Sequence, residues 1–308
     1  MLPFRRGWRD RASIGMYIAA VGASVRACFL RNAAFFAVSA LAGMTLSFAA
    51  SATETAALAP TTDQLSASHV QPYIRLHGAD GSFRVVVAGD SMADGMYAGL
   101  YRVMKDDKQL TFIKKTKVNT GIVRSDRYDW NEAAHEIAAE KDYDVAILVF
   151  GANDLQSIRE NGKAYHFRQP GWVERFNRRV DDIIAAFKAE NIATYWVGLP
   201  ITRKDRYPED YAYVNSLFRE AAERNGIRYV ETWSAFADAN GEFTEFGPNL
   251  KGEEIQLRAD DGVHFTPEGY DRYASVVAHV LRKDIAVAEA GIAKVACGSG
   301  GSGCGSSQ

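Results

Sequence analysis

Three side chains that lie far apart in the chain have the chemistry of a serine nucleophile and its proton relay. Ser91 follows an apolar run in the stretch RVVVAGDSMADG, from Arg84 to Gly95. A serine hydroxyl is a weak nucleophile at neutral pH and needs a base that removes its proton. His264 is a candidate for that base, and Asp261, in the stretch ADDGVHFTPEG, is a candidate for the group that orients the imidazole. These residue types predict acyl-transfer chemistry.

Acyl transfer also needs hydrogen-bond donors for the oxygen that becomes negative in the transition state. The backbone N–H groups of Ser91 and Gly121 and the side-chain amide of Asn153 are candidates for these donors. Asn153 follows the apolar run VAILVF, and Gly121 follows a weaker run, LTFIKKTKV. Because ligands in open α/β sheets bind beyond the carboxyl ends of the strands, we expect these groups to lie close together.

The apolar pattern alternates between short buried runs and helical stripes, which is typical of a parallel sheet covered by helices on both faces. The predicted strands are Phe83–Ala88, Leu110–Val118, Val145–Phe150, Thr194–Pro200 and Ile227–Glu231. Helical stripes are predicted over Trp172–Asn191 and Tyr211–Gly226, with a last helix from Thr266 to about Arg282. This organisation predicts a single α/β domain over residues 82–285.

The chemical residues and their order resemble the SGNH (GDSL-like) hydrolase family. The matching blocks are Gly-Asp-Ser at 89–91, the glycine at 121, Gly-x-Asn-Asp at 151–154 and Asp-x-x-His at 261–264. The resemblance implies a three-layer α/β/α flavodoxin-like fold with a mostly parallel five-stranded sheet. It also implies Ser91 as nucleophile, His264 as base, Asp261 as its orienting acid, and Ser91, Gly121 and Asn153 as oxyanion donors. It implies neither a metal nor an organic cofactor.

The stretches TGIVRSDRYDW, GANDLQ and DGVHFTPEGY also resemble a narrower bacterial envelope branch, the DUF459 domain. Two positions depart from the broader family pattern, since Met92 replaces the usual leucine and the surroundings of Gly121 lack the common glycine-rich block. An α/β-hydrolase elbow is the competing interpretation. It would place a glycine where this chain has Ala93, and would take its acid and histidine from separate loops.

Other polar residues have structural interpretations. We expect Asp90 and Asp154 to brace turns, and we expect Lys114, Lys115 and Lys117 to form a solvated strand face. The stretch Tyr128–Trp130 is expected either to pack in the core or to line a pocket. The long segment Ser234–Asp260 is expected to form a rim over the site.

The first 52 residues differ in composition from the rest of the chain. An arginine-rich start precedes the uncharged apolar stretch from Asn32 to Ala52, which ends in Ala-Ser-Ala. This pattern predicts a secretory signal peptide, with an uncleaved inner-membrane anchor as the alternative. Residues 53–81 are polar and predict a linker. The protein is therefore expected to be periplasmic or extracellular, or anchored to the membrane.

The end of the chain is expected to be a flexible Gly/Ser-rich tail over residues 286–308. Cys297 and Cys304 lie within it and predict either a small disulfide loop or two free thiols. The formal net charge of −2, with no long run of one sign, excludes a dedicated nucleic-acid binder.

The sequence as a whole predicts an exported serine esterase that removes O-acyl groups, such as acetyl, from envelope or extracellular glycans. The expected partner is an acylated carbohydrate or another small ester, and the oligomeric state is left open. Two alternatives stand beside it: an O-acyltransferase that uses the same triad, and a non-catalytic glycan-binding or assembly protein that keeps the fold.

Overall fold

The structure is a computed structural model that describes residues 72–75 and 81–299, with the side chains of the last helix described up to Ala290. The predicted leader over residues 1–52, most of the predicted linker, and the side chains of Cys297 and Cys304 lie outside the described residues.

Residues 72–75, within the predicted linker, lie against the domain. Ile74 is buried, and the Tyr73 hydroxyl donates to the Thr194 carbonyl. The Tyr73 ring also packs edge-on against Tyr195, with 5.4 Å between ring centroids. This part of the segment is therefore attached to the core.

A five-stranded sheet with parallel pairing throughout forms the centre of the domain, which confirms the predicted fold class. Its strands are β1 (Phe83–Gly89), β2 (Leu110–Thr116), β3 (Val145–Val149), β6 (Ala193–Val197) and β7 (Arg228–Val230), in the order β2-β1-β3-β6-β7. Val85 of β1 pairs with Phe112 on one side and Val145 on the other. The strand order reverses between β1 and β3, which is where doubly wound sheets bind their ligands.

Five helices cover the two faces of the sheet and complete a three-layer architecture. They are α1 (Ser91–Val103), α2 (Trp130–Ala139), α3 (Pro170–Ala189), α4 (Pro208–Asn225) and α5 (Pro267–Ser299). Side chains alternate along β1, so that Val85 and Val87 pack with α1 and α5, while Val86 packs with α2, α3 and α4. The near-continuous apolar sequence of β1 and β3 follows from burial on both faces.

Two short hairpins extend from the three layers. Strands β4 (Ile158–Glu160) and β5 (Lys163–Tyr165) pair antiparallel after β3, and β8 (Phe246–Pro248) pairs with β9 (Glu254–Gln256) before the last helix. The β8–β9 hairpin lies within the long segment Ser234–Asp260 that the sequence predicts as a rim.

The last helix, α5, is longer than its sequence pattern predicts. It continues past Arg282 to Ser299, and thereby includes residues 286–299 of the segment expected to be a flexible tail. Ile285 and Ala288 are both buried beyond the expected end, so the buried stripe continues and accounts for the first turns of this extension. Neither α5 nor any other helix in the described ranges combines the length and the apolarity needed to cross a bilayer.

Helices α1 and α5 pack closely because α1 presents two glycines to α5. A Cβ on Gly95 would lie 2.0 Å from the Tyr270 ring, and a Cβ on Gly99 would lie 2.4 Å from the Tyr270 carbonyl oxygen. The absence of side chains at these positions lets the first turns of α5 lie directly on α1. Since Ser91 begins α1 and His264 lies just before α5, this contact brings the two residues to the same edge of the sheet.

Candidate active site

A tight turn between β1 and α1 presents the Ser91 hydroxyl at the end of the sheet. Gly89 has φ +142°, and a Cβ there would lie 1.9 Å from the Val149 carbonyl oxygen of β3. Asp90 is the N-cap of α1, and its Oδ1 accepts the Met92 N–H at 2.9 Å. Ser91 is therefore held at the first position of a helix whose start is anchored to two strands.

The structure brings Ser91, His264 and Asp261 into one continuous chain of hydrogen bonds. Ser91 Oγ lies 2.8 Å from His264 Nε2, and His264 Nδ1 lies 2.6 Å from Asp261 Oδ2. The other carboxylate oxygen, Oδ1, accepts the backbone N–H groups of Val263 and His264, each at 2.9 Å. The loop thus uses one carboxylate to fix both its own backbone and the imidazole.

The Asp261 carboxylate is held in its ionised form. Partial burial acts to raise its pKa, but the hydrogen bonds from the His264 ring and from the N–H groups of Val263 and His264 outweigh burial and lower the pKa to about 2. An ionised partner at Nδ1 places the imidazole proton on that nitrogen. The Nε2 lone pair then faces the Ser91 hydroxyl, as proton abstraction requires.

Gly121 and Asn153 lie beside each other at the neighbouring strand ends. A Cβ on Gly121 would be 3.3 Å from the Asn153 Cβ, and one Asn153 amide hydrogen is used in a 2.8 Å bond to the Thr120 carbonyl. The second amide hydrogen is left for a ligand. Within the described part of the chain, the N–H groups of Ser91 and Gly121 bond no acceptor. The predicted oxyanion donors are therefore free to bind a negatively charged oxygen.

A set of buried contacts fixes the loop that carries Gly121, here named the oxyanion loop (residues 120–123). Asp154, whose bracing role the sequence predicts, accepts the Val123 N–H at 2.9 Å through Oδ1. The Arg179 guanidinium of α3 donates to the Ile122 carbonyl at 2.9 Å. No sequence pattern singled out Arg179, because a bond to a backbone carbonyl leaves no trace in residue types.

The stretch Tyr128–Trp130 supports the oxyanion loop from the core. Trp130 is buried, and its indole N–H donates to the Thr120 hydroxyl at 2.9 Å. Asp129 caps α2 through its side chain, and the half-buried Tyr128 ring packs edge-on against Trp130. Of the two interpretations of this stretch, core packing describes Trp130.

Two carboxyl groups are buried beneath the site without a basic hydrogen-bonding partner. Burial, reinforced by the neighbouring Asp154, raises the pKa of Asp90 to about 8. Burial likewise raises the pKa of Asp154 to about 6, although hydrogen bonds from the backbone N–H groups of Val123 and Ile122 act to lower it. Asp90 is therefore largely protonated at neutral pH, which gives it a structural role distinct from that of Asp261.

The lysines on β2 form ion pairs, as expected for a solvated strand face. Lys114 lies 2.7 Å from Asp94, and Lys115 lies 2.7 Å from Glu140. A groove of about 430 Å³ lies between β2 and α2, and none of its lining residues belongs to the Ser91–His264–Asp261 triad. The groove is lined by Lys114, Lys115, Thr116, Tyr128, Ala133, Glu136, Ile137 and Glu140.

The segment Ser234–Asp260 packs its final residues against the loop that carries Asp261 and His264, here named the triad loop (residues 260–264). Arg258 pairs with Phe265 in an antiparallel bridge, and its buried guanidinium lies 4.2 Å from the centre of the Phe265 ring. Burial lowers the pKa of Arg258 to about 10. This end of the segment supports the loop next to His264, and the expected rim over the site stays a prediction.

Comparison with known proteins gives one family and a set of distant structural likenesses. The model of the family described as "Protein of unknown function (DUF459)" matches residues 84–280. No curated protein matches the sequence. A GDSL-like lipase from Bacteroides thetaiotaomicron is 17% identical, with a TM-score of 0.48 over 68% of this chain and 92% of the lipase. A carbohydrate esterase family 3 protein from Talaromyces cellulolyticus is 12% identical, with a TM-score of 0.47 over 66% of this chain and 98% of the esterase.

Proposed function

The chain belongs to the DUF459 family, and we propose that it is a serine hydrolase that cleaves O-acyl esters through Ser91, His264 and Asp261. The family assignment agrees with the narrower of the two resemblances in the sequence. The observation that carries the proposal is the unbroken set of bonds from the Ser91 hydroxyl to the ionised Asp261. The candidate oxyanion donors at Gly121 and Asn153, which follow the two strands that flank β1, support it.

In the acylation step, Ser91 Oγ attacks the carbonyl carbon of the ester while His264 Nε2 takes the hydroxyl proton. Asp261 stabilises the resulting imidazolium. The negative oxygen of the tetrahedral intermediate accepts hydrogen bonds from the N–H groups of Ser91 and Gly121 and from the Asn153 amide. Collapse of the intermediate breaks the ester C–O bond, and His264 returns its proton to the departing alcohol.

Deacylation repeats the sequence with water as nucleophile. His264 takes a proton from water while the water oxygen attacks the acyl-Ser91 carbonyl carbon. The intermediate then breaks its bond to Ser91 Oγ, His264 returns the proton to that oxygen, and the free acid leaves. If a sugar hydroxyl replaced water in this step, the protein would be an acyltransferase. The products formed when an acylated donor and a glycan acceptor are both present distinguish the two activities.

The proposed substrates are O-acylated, for example O-acetylated, glycans of the cell envelope or the extracellular space. The support for this class is the sequence of residues 1–52, which predicts export or membrane anchoring. An exported esterase meets the ester-substituted polysaccharides of those compartments rather than cytoplasmic thioesters.

Hydrolysis of p-nitrophenyl acetate and labelling by a fluorophosphonate, both with the full chain, test the proposed activity. We expect Ser91→Ala to abolish labelling and to lower kcat by about 10³-fold or more, because the nucleophile is lost. Ser157→Ala is a matched control, since Ser157 Oγ lies 3.1 Å from His166 Nδ1 in a second serine–histidine contact outside the triad. Equal rates for wild type and Ser91→Ala would refute the proposal.

A further inference from the structure

Three successive carbonyl groups in the loop that carries Asp261 accept hydrogen bonds from one neighbouring segment. The backbone N–H of Arg203 donates to the Gly262 carbonyl at 3.1 Å. Arg203 Nη1 donates to the Asp260 carbonyl at 2.9 Å, and Arg206 Nε donates to the Asp261 carbonyl at 2.9 Å. The side chains of Arg203 and Arg206 are named the arginine clamp.

Gly262 lets the loop lie directly against the clamp. Its φ is +71°, a conformation that favours glycine, and a Cβ at this position would lie 2.7 Å from the Arg203 Cβ and 3.0 Å from its Nε. The turn between Asp261 and His264 is therefore in contact with Arg203 along its backbone. A movement of the loop toward the clamp is blocked, and a movement away breaks the hydrogen bonds.

The clamp segment has internal contacts and is anchored on its N-terminal side. Arg203 Nε is paired with Asp205 Oδ1 at 2.8 Å, and residues Lys204–Arg206 form one turn of 3₁₀ helix. Just before this turn, the Ile201 carbonyl accepts a hydrogen bond from the buried Arg258 guanidinium. The clamp thus connects the triad loop to the end of β6 and to the core.

For Arg206, the hydrogen bond to the triad loop is shorter than its contact with any carboxylate among the described residues. The nearest carboxylate oxygen among the described residues belongs to Asp205, 3.9 Å from Arg206 Nε, compared with 2.9 Å to the Asp261 carbonyl. Both clamp side chains are partly exposed, at 32% for Arg203 and 47% for Arg206. Exposed pairs of this kind contribute little to global stability, so their effect should be confined to the loop they contact.

We propose that Arg203 and Arg206 are positioning residues of the hydrolase, which hold Asp261 where its carboxylate orients His264 toward Ser91. This inference rests on the proposed function. The triad spans two hydrogen bonds of 2.6 Å and 2.8 Å, and a shift of Asp261 relative to the His264 ring lengthens the first and turns the imidazole away from the Ser91 hydroxyl. Displacement of a catalytic group by about 1 Å costs on the order of 10²-fold in rate.

The test compares Arg203→Met, Arg206→Met and the double variant with wild type in the full chain. We expect the double variant to lower kcat for p-nitrophenyl acetate on the order of 10²-fold, with KM and Tm nearly unchanged. Arg206→Lys should recover most of the activity, since lysine keeps the charge and one donor. Arg224→Met is the matched control, because Arg224 is an exposed arginine paired with Asp181 between α3 and α4.

A second readout does not depend on turnover. The short His264–Asp261 bond should give the Nδ1 proton a far-downfield ¹H NMR signal in wild type, and we expect the double variant to weaken or lose it. If the wild-type protein neither hydrolyses esters nor labels with a fluorophosphonate, loss of its downfield signal in the double variant would support the clamp and refute the proposed function.

The opposite result would overturn the clamp. If the double variant keeps both the wild-type kcat and the downfield signal, the arginines do not position Asp261. If the double variant has a lower Tm but the wild-type kcat at a temperature well below unfolding, the arginines have a purely structural role. This result would also overturn the proposal.

Discussion

At the scale of single residues, the site shows how environment gives the same side chain opposite properties. Hydrogen bonds from His264 and from two backbone N–H groups outweigh burial at Asp261 and lower its pKa to about 2. Burial dominates at Asp90, where hydrogen bonds from the backbone of Met92, Ala152 and Gly151 are insufficient to offset it and the pKa is about 8. One aspartate is therefore an ionised partner for an imidazole, and the other is a largely neutral helix cap.

The raised pKa of Asp90 predicts a pH-dependent stability. The folded state retains a proton that the unfolded chain releases above its usual pKa of 3.8, so this residue's contribution falls as pH rises from about 4 to about 8. Asp90→Asn still caps α1 but does not titrate. We expect the free energy of unfolding of the variant, minus that of wild type, to increase by more than about 1 kcal/mol from pH 5 to pH 9, as measured by urea unfolding.

Asp129→Asn provides the comparison for that experiment. Asp129 also caps a helix through its side chain, accepting from Asn131 and Glu132 at the start of α2, but it is only partly buried. A similar pH trend in this variant, or none in Asp90→Asn, would contradict the assignment of the trend to the buried carboxyl group.

At the scale of structural elements, the chemistry lies on loops that other elements hold in place. The oxyanion loop is held by Asp154 and Arg179, and the triad loop is held by Arg203 and Arg206. Both loops follow or face the carboxyl ends of parallel strands, where backbone groups are not used in the sheet ladder. The positions of the two loops therefore depend on the hydrogen bonds that other elements make to the loop backbones.

Gly121→Ala tests how closely the oxyanion loop is fitted. A Cβ would lie 2.5 Å from Asp154 Oδ1, so the loop or the buried carboxyl must move. We expect kcat for p-nitrophenyl acetate to fall by about 10²- to 10³-fold, the effect of losing one oxyanion donor. Gly171→Ala is the control: Gly171 lies on α3, and its new Cβ would be a similarly short 2.8 Å from the Tyr165 ring. Equal losses of kcat in both variants would refute a specific role for Gly121.

At the scale of the whole molecule, the packing of α1 on α5 sets the distance between the nucleophile and its base. Ser91 and His264 are separated by 173 residues, and each lies at the beginning of one of the two helices or just before it. The glycines of α1 that face Tyr270 let the helices approach closely. The geometry of the site is therefore linked to a helix–helix contact that lies mostly outside it.

Gly99→Ala should disturb that contact, because the new Cβ would lie 2.4 Å from the Tyr270 carbonyl oxygen, which belongs to the backbone and cannot rotate away. We expect a loss of about 1–3 kcal/mol in the free energy of unfolding and a lower kcat. Tyr101→Ala on the same helix is the control, since its side chain is exposed. Unchanged stability and kcat in Gly99→Ala would show that the helix contact does not control the site.

The sequence by itself determined the residue types of the site, the five strands and the parallel α/β class, since strand periodicity and the blocks at strand ends are local patterns. Only the tertiary structure placed His264 at Ser91, assigned Arg179, Arg203 and Arg206 to the two loops, and extended α5 to Ser299. The physical reason is that hydrogen bonds to backbone carbonyls and the burial of a helix stripe depend on neighbours that are distant in the chain, and these leave no local signal in the residues that make them.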